Sequence, residues 1–322
     1  MKGIPVLTFA AAMLAAGWAQ DAAGSPRSAA TEEPAAQPPA SGAALPVEAG
    51  WPEGARAFVA SLKPRTGEVK IDAASVTLNV PENFYFLPAQ DARKVLEQAW
   101  SNPPDESVLG MLFPAGTSPL HDNVWGVTIS FQQDGYVKDD DAGSIDYDAL
   151  LERMREDAAE ENKLRKEQGY PTVELLGWAA RPHYDENTHK LYWAKELRFE
   201  GDPANTVNYD IRALGRKGVL VLGFVAGMEE LPEIEANLPA VLNMVSFDDG
   251  ARYEDFDPGV DQVAAYGIGG LIAGKVLAKT GFFAAALVFL KKFGVLLVAA
   301  LVGAFAWFRR RIFGSAKSTG ES

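Results

Sequence analysis

The sequence contains three histidines, His121, His183 and His189, which are its first candidates for acid–base or metal chemistry. His183 and His189 flank the segment 184–188, whose residue types are typical of a hairpin turn, so their rings could face each other across two strands. A metal ion bound there needs further ligands, and the two acidic residues of that turn are the nearest in sequence. A pair of solvated turn residues is the favoured interpretation, and no metal ligand is predicted.

A run of three acids, Asp139, Asp140 and Asp141, resembles the start of a calcium-binding loop. It lacks the acid at the fifth position, the glycine at the sixth and the glutamate at the twelfth that such a loop requires. An acidic loop placed ahead of a helix N-terminus, and stabilised by the helix dipole, is the better explanation. The chain also contains no nucleophile elbow, P-loop or zinc-protease motif. The sequence therefore predicts no catalytic residue and no cofactor.

Aromatic and basic residues recur on successive predicted strands of the region 173–225. They could line a ligand groove, although sheet core is the favoured interpretation for the aromatic side chains. Arg181 and Arg212 are the charged residues embedded in the same region. The candidate surface for a ligand or partner comprises Trp178, Arg181, His183, Tyr209 and Arg212.

Charge is distributed unevenly along the 322 residues, whose formal net charge is −13. From Gly259 onward there are eight lysines and arginines against two acids, so residues 1–258 carry −19. An acidic body of this kind repels phosphate backbones, and nucleic acid is excluded as a partner. The absence of cysteine excludes disulfides, thiolate metal sites and a lipid-modified cysteine anchor.

The N-terminal residues have the pattern of a secretory signal peptide. Lys2 is followed by the apolar run 4–16, too short to span a bilayer, and by small residues before a cleavage site after Ala19. We expect residues 1–19 to be removed. Residues 20–50, rich in alanine and proline, have too little apolar surface to offset chain entropy and are predicted to be a disordered tether.

Residues 281–308 are predicted to form a transmembrane helix. The part 293–308 has no charged residue, and as a helix it spans about 24 Å, so the preceding apolar residues complete a core of about 30 Å. Basic and aromatic residues mark the ends of the span and anchor it at the interfaces. These anchoring residues are Lys291, Lys292, Trp307, Arg309, Arg310 and Arg311. By the positive-inside rule the tail 309–322 is cytoplasmic.

The segment 258–280 is rich in glycine and alanine and lies next to the predicted span. Gly270 and Gly274 have the spacing that allows close helix contact in lipid, so the protein could associate with itself there. The alternative is an amphipathic helix on the membrane surface, or a partly inserted extension of the span, and this alternative is preferred because a second span would move the arginines outside.

Residues 51–257 are predicted to form one extracytoplasmic α+β domain. Alternating residues indicate strands around 69–80, 108–113, 124–131, 173–180, 191–199, 207–214 and 219–225. Helices are predicted over 88–100, 146–168 and 229–245, the second with Asp146 as its N-cap. Short turns between the later strands require antiparallel neighbours. The expected fold is an antiparallel sheet with two or three covering helices, followed by the transmembrane helix.

Four segments of the chain, 177–185, 191–197, 208–216 and 264–275, also carry a family resemblance. They read GWAARPHYD, LYWAKEL, NYDIRALGR and AAYGIGGLIAGK. These motifs are similar to those of a family of uncharacterised bacterial membrane-anchored proteins, classified as a domain of unknown function. The resemblance covers nearly the whole chain after the tether and implies a membrane-anchored extracytoplasmic protein without an assigned activity. At the level of fold alone, the end of the domain is similar to exported non-catalytic domains of the PsbP and DcrB-like type.

Together these features predict a protein of the bacterial inner membrane with its main domain in the periplasm. Its expected partners are the lipid bilayer, other envelope proteins and a second copy of itself. A binding or interaction module is the favoured function, and an envelope hydrolase acting through carboxylates or the His183–His189 pair is the alternative.

Overall fold

The computed structural model describes residues 40–41, 44–121, 124–167 and 169–274. The predicted signal peptide, most of the tether, the transmembrane helix and the tail lie outside these residues. The same holds for the predicted anchoring residues Lys291, Lys292, Trp307, Arg309, Arg310 and Arg311. Among the helices that the structure does describe, none has the length and apolar character needed to cross a bilayer.

The described strands form one antiparallel sheet, as the sequence predicts. In chain order they are β1 (Ala40–Ser41), β2 (Arg65–Ile71), β3 (Val76–Val80), β4 (Phe84–Pro88), β5 (Val108–Pro114), β6 (Gly126–Gln132), β7 (Val173–Asp185), β8 (Lys190–Phe199), β9 (Thr206–Leu214), β10 (Val219–Gly227) and β11 (Val245–Phe247). Across the sheet the order is β11-β3-β2-β4-β5-β6-β10-β9-β8-β7, and β1 pairs with β2. The hairpins β7–β8, β8–β9 and β9–β10 confirm the predicted turns.

Five α-helices accompany the sheet in the described part of the chain. They are α1 (Glu53–Ser61), α2 (Ala89–Lys94), α3 (Tyr147–Glu167), α4 (Leu231–Met244) and α5 (Ile268–Ala273). The predicted helix 88–100 is α2 prolonged by a π-helical turn over Val95–Ala99. Helix α1 is not among the predicted helices, because with nine residues it is too short for the helical spacing of its apolar residues to stand out.

Residues of β9 alternate between two faces of the sheet, as extended backbone requires. Face A is the side of Val207, Tyr209, Ile211 and Ala213, which belong to the main hydrophobic core. Helix α4 contributes Ile234, Val241 and Met244 to the same core. Burial of these apolar side chains stabilises the sheet by about 25 cal/mol per Å² removed from water.

Face B is the opposite side, to which Asn208, Asp210 and Arg212 point. Near β4 and β5 this face is covered by α2 and the π-helical turn, which pack on Leu87 and Met111. Met111 lies on the same face as Asp210, because a line of directly paired residues connects the two. Met111 is paired with Thr128 on β6, Thr128 with Gly223 on β10, and Gly223 with Asp210 on β9. Face B thus has an apolar half at β4–β5 and a polar half at β8–β9.

Helix α3 runs along the edge strand β7 and covers part of its unpaired backbone. The Asn162 side chain donates to the carbonyl of Val173 at 2.8 Å and accepts from its N–H at 2.9 Å. Farther along, the guanidinium of Arg155 donates to the carbonyl of Leu175 at 3.1 Å and to that of Leu176. These bonds occupy groups that would otherwise pair with a strand of another molecule.

The N-terminus of α3 is capped as predicted. The Asp146 carboxylate accepts hydrogen bonds from the N–H groups of Asp148 and Ala149, at 3.1 and 3.0 Å.

The compact unit continues past the predicted domain end at residue 257, as far as Ile272. Apolar side chains of α5, including Ile268 and Leu271, are buried in it, so these residues of the predicted membrane-proximal segment belong to the domain core.

Candidate functional site

A row of four residues crosses face B where β8, β9, β10 and β6 lie side by side. Trp193 is paired directly with Asp210, Asp210 with Gly223, and Gly223 with Thr128. Side chains of directly paired residues lie on the same face of a sheet. Two of its members are covered from solvent: Trp193 is 1% exposed and Asp210 is 7% exposed.

Two cations flank the Asp210 carboxylate. Lys195 Nζ lies 3.5 Å from one carboxylate oxygen and Arg212 Nη2 lies 3.0 Å from the other. All three side chains are at most 16% exposed, so their charges are only weakly screened by water. The Arg212 guanidinium also lies 5.2 Å from the centre of the Trp193 ring, within the range of a cation–π contact. We call Trp193, Lys195, Asp210 and Arg212 the face-B cluster.

The segment from Asp257 to Ala273, which we call the strap, lies against the domain close to this cluster. Its middle forms a short bridge: Tyr136 donates its N–H to Gln262 and accepts from Ala264, both at 2.8 Å. The Tyr266 hydroxyl donates to the Asp134 carboxylate. Burial raises the pKa of Tyr266, the Asp134 charge raises it further and the Arg212 charge lowers it, so Tyr266 lies near enough to the cluster to respond to it electrostatically.

Two carboxylates hold the ends of the strap. Asp261, whose side chain is 2% exposed, accepts from the Arg216 guanidinium at 2.7 Å and from the Asp257 N–H at 2.7 Å. Asp141 accepts from the N–H groups of Ile268 and Gly269, at 2.9 and 3.0 Å, and so caps α5. The acidic run 139–141 is therefore used in part as a cap, but for α5 instead of α3.

A second polar group surrounds His189, at the β7–β8 turn. Its ring stacks on Tyr253 with centroids 4.1 Å apart, and its Nδ1 lies 3.1 Å from the Tyr184 hydroxyl. That hydroxyl also donates to Asp139 at 2.8 Å. Burial raises the pKa of Tyr184 and of Tyr253, so both phenols stay protonated and act as donors.

His183 and His189 have separate partners, and His183 is exposed as the favoured interpretation expects, whereas His189 is half-buried. His183 lies on β7 with its ring 5.1 Å from that of Tyr192, whereas His189 has the partners described above. Within the described residues, no group of three or more histidine, aspartate and glutamate side chains could hold a metal ion.

The five residues of the predicted ligand surface fall on different parts of the sheet. Trp178, paired with Lys195, shares face B with Arg212, and its indole N–H donates to the Tyr147 carbonyl at 3.3 Å. Arg181 is exposed and pairs with Asp148 at 2.8 Å. Tyr209 is 2% exposed in the face A core, so it cannot line a surface groove. Residues 209 and 212 are an odd number of positions apart and so lie on opposite faces.

Lys195 and Asp210 are the members of the cluster that the sequence pattern does not single out. The sequence does contain an indication of Asp210: it lies two residues before Arg212 in the same strand, so the two side chains share a face. Opposite charges inside an otherwise apolar strand indicate a buried ion pair. The contribution of Lys195 depends on the β8–β9 register, which the sequence does not specify to the residue.

Gly270, one of the two glycines whose spacing could support self-association, is half-buried and lies against Tyr266. A side chain there would begin 2.6 Å from Cβ of Tyr266, so the glycine is needed for the close approach of that residue. Gly274 follows α5 with a φ of +79°, a left-handed conformation that favours glycine at a helix C-terminus.

Comparison with known proteins identifies a family but no activity. A family model described as a protein of unknown function, DUF2167, matches residues 63–302. Similar solved structures include the solution structure of PsbP from Synechocystis sp. PCC 6803, with 9% identity over 56% of this chain and 91% of that one, and a TM-score of 0.33. The Ran-binding protein Mog1p of Saccharomyces cerevisiae shows 11% identity over 61% of this chain and 100% of its own, with a TM-score of 0.31. No curated protein matches the chain.

Proposed function

Since the chain belongs to the DUF2167 family of proteins of unknown function, we propose a function from its own residues: a binding module on the outer side of the bacterial inner membrane. The module is exported by residues 1–19 and anchored by a helix over 281–308. The domain of described residues faces the periplasm, and the tail 309–322 is cytoplasmic.

The charge pattern of residues 293–311 carries the anchoring part of this proposal. Sixteen residues without a charged side chain are followed at once by Arg309, Arg310 and Arg311. Placing three arginines on the far side of a membrane is strongly disfavoured, so a span of this sequence keeps them in the cytoplasm. The apolar run 4–16 near the N-terminus is consistent with the same orientation, because an exported start and a cytoplasmic end require one crossing.

The strap supports a domain held close to the bilayer. Its last hydrogen-bonded residues, Ile268 and Gly269, are fixed by Asp141, and Ile272 is still buried. The proposed span begins at residue 281, so few residues separate the packed chain from lipid. A connection of this length limits the distance from the membrane at which the module can reach a ligand or partner.

The face-B cluster supports binding as the activity. It places two cations and one carboxylate on a rigid sheet, where the strands fix the positions of their Cα atoms. Both oxygens of Asp210 already contact a cation, which makes this carboxylate a poor candidate for attack on a substrate. The hydrolase alternative was to act through carboxylates or through the His183–His189 pair, and the rings of these two histidines have separate partners.

Reporter fusions test the proposed topology. Alkaline phosphatase, which is active only outside the cytoplasm, should be active when fused after Gly274 and inactive when fused after Ser322. A fluorescent protein that matures only in the cytoplasm should give the opposite result. Phosphatase activity after Ser322, or release of the full-length protein from membranes by alkaline carbonate, would overturn the anchor.

A further inference from the structure

We propose that the face-B cluster binds an anionic oxygen group, a phosphate or a carboxylate, between Lys195, Arg212 and the indole N–H of Trp193. The inference rests on the proposed binding function and names the chemical class of its ligand. It is drawn from hydrogen-bond donors that the described residues leave without acceptors.

The cluster has more donors than acceptors. Lys195 carries three N–H bonds, and its nearest acceptor is Asp210 at 3.5 Å, longer than a normal hydrogen bond. Arg212 donates to its neighbour Ile211 at 3.3 Å and contacts Asp210 at 3.0 Å, which leaves further N–H groups of its guanidinium unused. A ligand with several acceptor oxygens would satisfy them.

The Trp193 indole provides an independent observation. Its Nε1 is buried and has no hydrogen-bond partner among the described residues. A buried N–H without an acceptor loses its hydrogen bonds to water and gains none in return, so such groups are rare in folded proteins. The indole lies under the Arg212 guanidinium, so an acceptor that reaches this nitrogen also meets the positive charge.

Donor chemistry favours an oxyanion over a neutral acceptor. Lys195 and Arg212 are both cationic and largely shielded from water, so an acceptor that carries negative charge forms charge-assisted hydrogen bonds with them. The Asp134 carboxylate, which accepts from the Tyr266 hydroxyl, also lies near Arg212. The ligand therefore competes with two carboxylates, Asp210 and Asp134, for the same cations.

No bulky side chain projects from β10 next to Asp210. Gly223 occupies the neighbouring position in the row and has no side chain. A Cβ built there would meet a single neighbour within 4 Å, the Thr128 hydroxyl at 3.2 Å. The groups that surround Gly223 on face B are therefore the Asp210 carboxylate and the Thr128 hydroxyl.

The experiment titrates full-length protein, in neutral detergent and labelled with 15N at its tryptophan indoles, with inorganic phosphate and separately with acetate. Trp193→Phe identifies the Trp193 indole signal. We expect this signal to shift with either anion, and isothermal titration to give a Kd at least ten-fold weaker for Lys195→Met and Arg212→Met. Arg181→Met, on the neighbouring strand and exposed, should keep the wild-type affinity. Circular dichroism and melting temperature report whether each variant is folded.

Chloride at matched ionic strength is the control for screening. An equal indole shift with chloride, no shift with either oxyanion, or unchanged affinity in folded Lys195→Met and Arg212→Met would overturn the proposal. If those variants do not fold, the proposal is tested by the wild-type protein alone, from the shift of its Trp193 indole signal with phosphate and acetate compared with the shift with chloride.

Nanodiscs of phosphatidylcholine, with and without phosphatidylglycerol, then distinguish the source of the anion. A shift caused by phosphatidylglycerol alone identifies a lipid headgroup, and a shift that requires added phosphate identifies a soluble ligand. The reporter fusions do not depend on this titration, so a failure of the anchor and a failure of the anion site would be separate results.

Discussion

The ammonium group of Lys190 donates a hydrogen bond of 2.6 Å to the main-chain carbonyl of Leu242, in the last turn of α4, and lies 3.3 Å from the carbonyl of Val245. Carbonyls at a helix C-terminus lack partners within the helix, and a cation there interacts favourably with the helix dipole. The last turn of α4 contains no basic residue of its own. The β8 strand therefore supplies the cation that caps α4 on face A.

We expect Lys190→Met to lower the free energy of unfolding by about 1–3 kcal/mol, because hydrogen bonds to a charged donor are lost while the apolar stem is kept. Urea unfolding followed by circular dichroism measures the change. Lys70→Met, an exposed lysine of β2, is the matched control and should change stability by less than about 0.5 kcal/mol. Equal effects of the two substitutions would contradict this role for Lys190.

Arg155→Ala should expose the backbone of β7. We expect a loss of about 1–3 kcal/mol, since the carbonyls of Leu175 and Leu176 lose a charged donor. The uncovered edge should also promote pairing between molecules, detected by light scattering at increasing protein concentration. Arg153→Ala, on the exposed side of the same helix, should leave both properties near the wild type. Scattering that rises equally in both variants would rule out edge protection by Arg155.

Asp141→Ala should release the start of α5 while the sheet remains folded. Loss of an N-cap costs about 0.5–2 kcal/mol, and the amides of Ile268 and Gly269 lose their acceptor. We expect hydrogen exchange at these two amides to become faster, with exchange in β9 unchanged. Asp140→Ala, an exposed neighbour, should leave α5 protected. Unchanged protection in Asp141→Ala would show that α5 is held by its apolar contacts alone.

The pH dependence of the stability of Asp261→Asn tests the contact between Asp261 of the strap and Arg216. The hydrogen bond from Arg216, followed by that from the Asp257 N–H, holds the pKa of Asp261 below its ordinary value of 3.8. A carboxylate with a lowered folded-state pKa contributes stability above its unfolded pKa and loses it as the pH falls through the folded value. The variant should therefore be less stable than the wild type at pH 7, and the difference should shrink below pH 4.

Urea unfolding at pH 7 and at pH 3 measures this difference. Asp72→Asn, an exposed carboxylate, serves as the reference for general effects of charge. A destabilisation by Asp261→Asn that is equally large at both pH values would mean that the contact depends on shape or amide geometry and not on the charge of Asp261.

Local patterns predict most of the sheet, because strands and tight turns depend on neighbouring residues. Alternation identifies β3, where Val76, Leu78 and Val80 are buried and Asn79 is exposed. The same reasoning separates Tyr209 from Arg212 once the strand is known, so a shared surface for these two residues could have been excluded from the sequence. Counting residues does not predict the faces of Trp178 and His183, because β7 contains register shifts between them, and each shift interrupts the alternation of side chains.

Contacts between distant parts of the chain are what the sequence does not provide. Asp141 caps a helix more than a hundred residues away, and Lys190 of β8 reaches the carbonyl of Leu242 in α4. The dipole argument correctly predicts that an acid lies before a helix, but it cannot choose between α3 and α5. Lys195 joins Asp210 only through the β8–β9 register, so the cluster becomes visible when the strands are aligned.

The strap also determines how the domain would respond to a pull on the chain beyond Ala273. Tension from that side reaches α5 first, then the Tyr266–Asp134 bond, and last the Arg216–Asp261 pair, so the contacts would break one at a time. Peeling contacts in sequence takes less force than shearing a sheet, whose hydrogen bonds share the strain. The released segment would extend by about 55 Å at roughly 3.3 Å per residue. Because Ile268, Leu271 and Ile272 are buried, drawing the strap out would also expose apolar surface, and this cost opposes the extension.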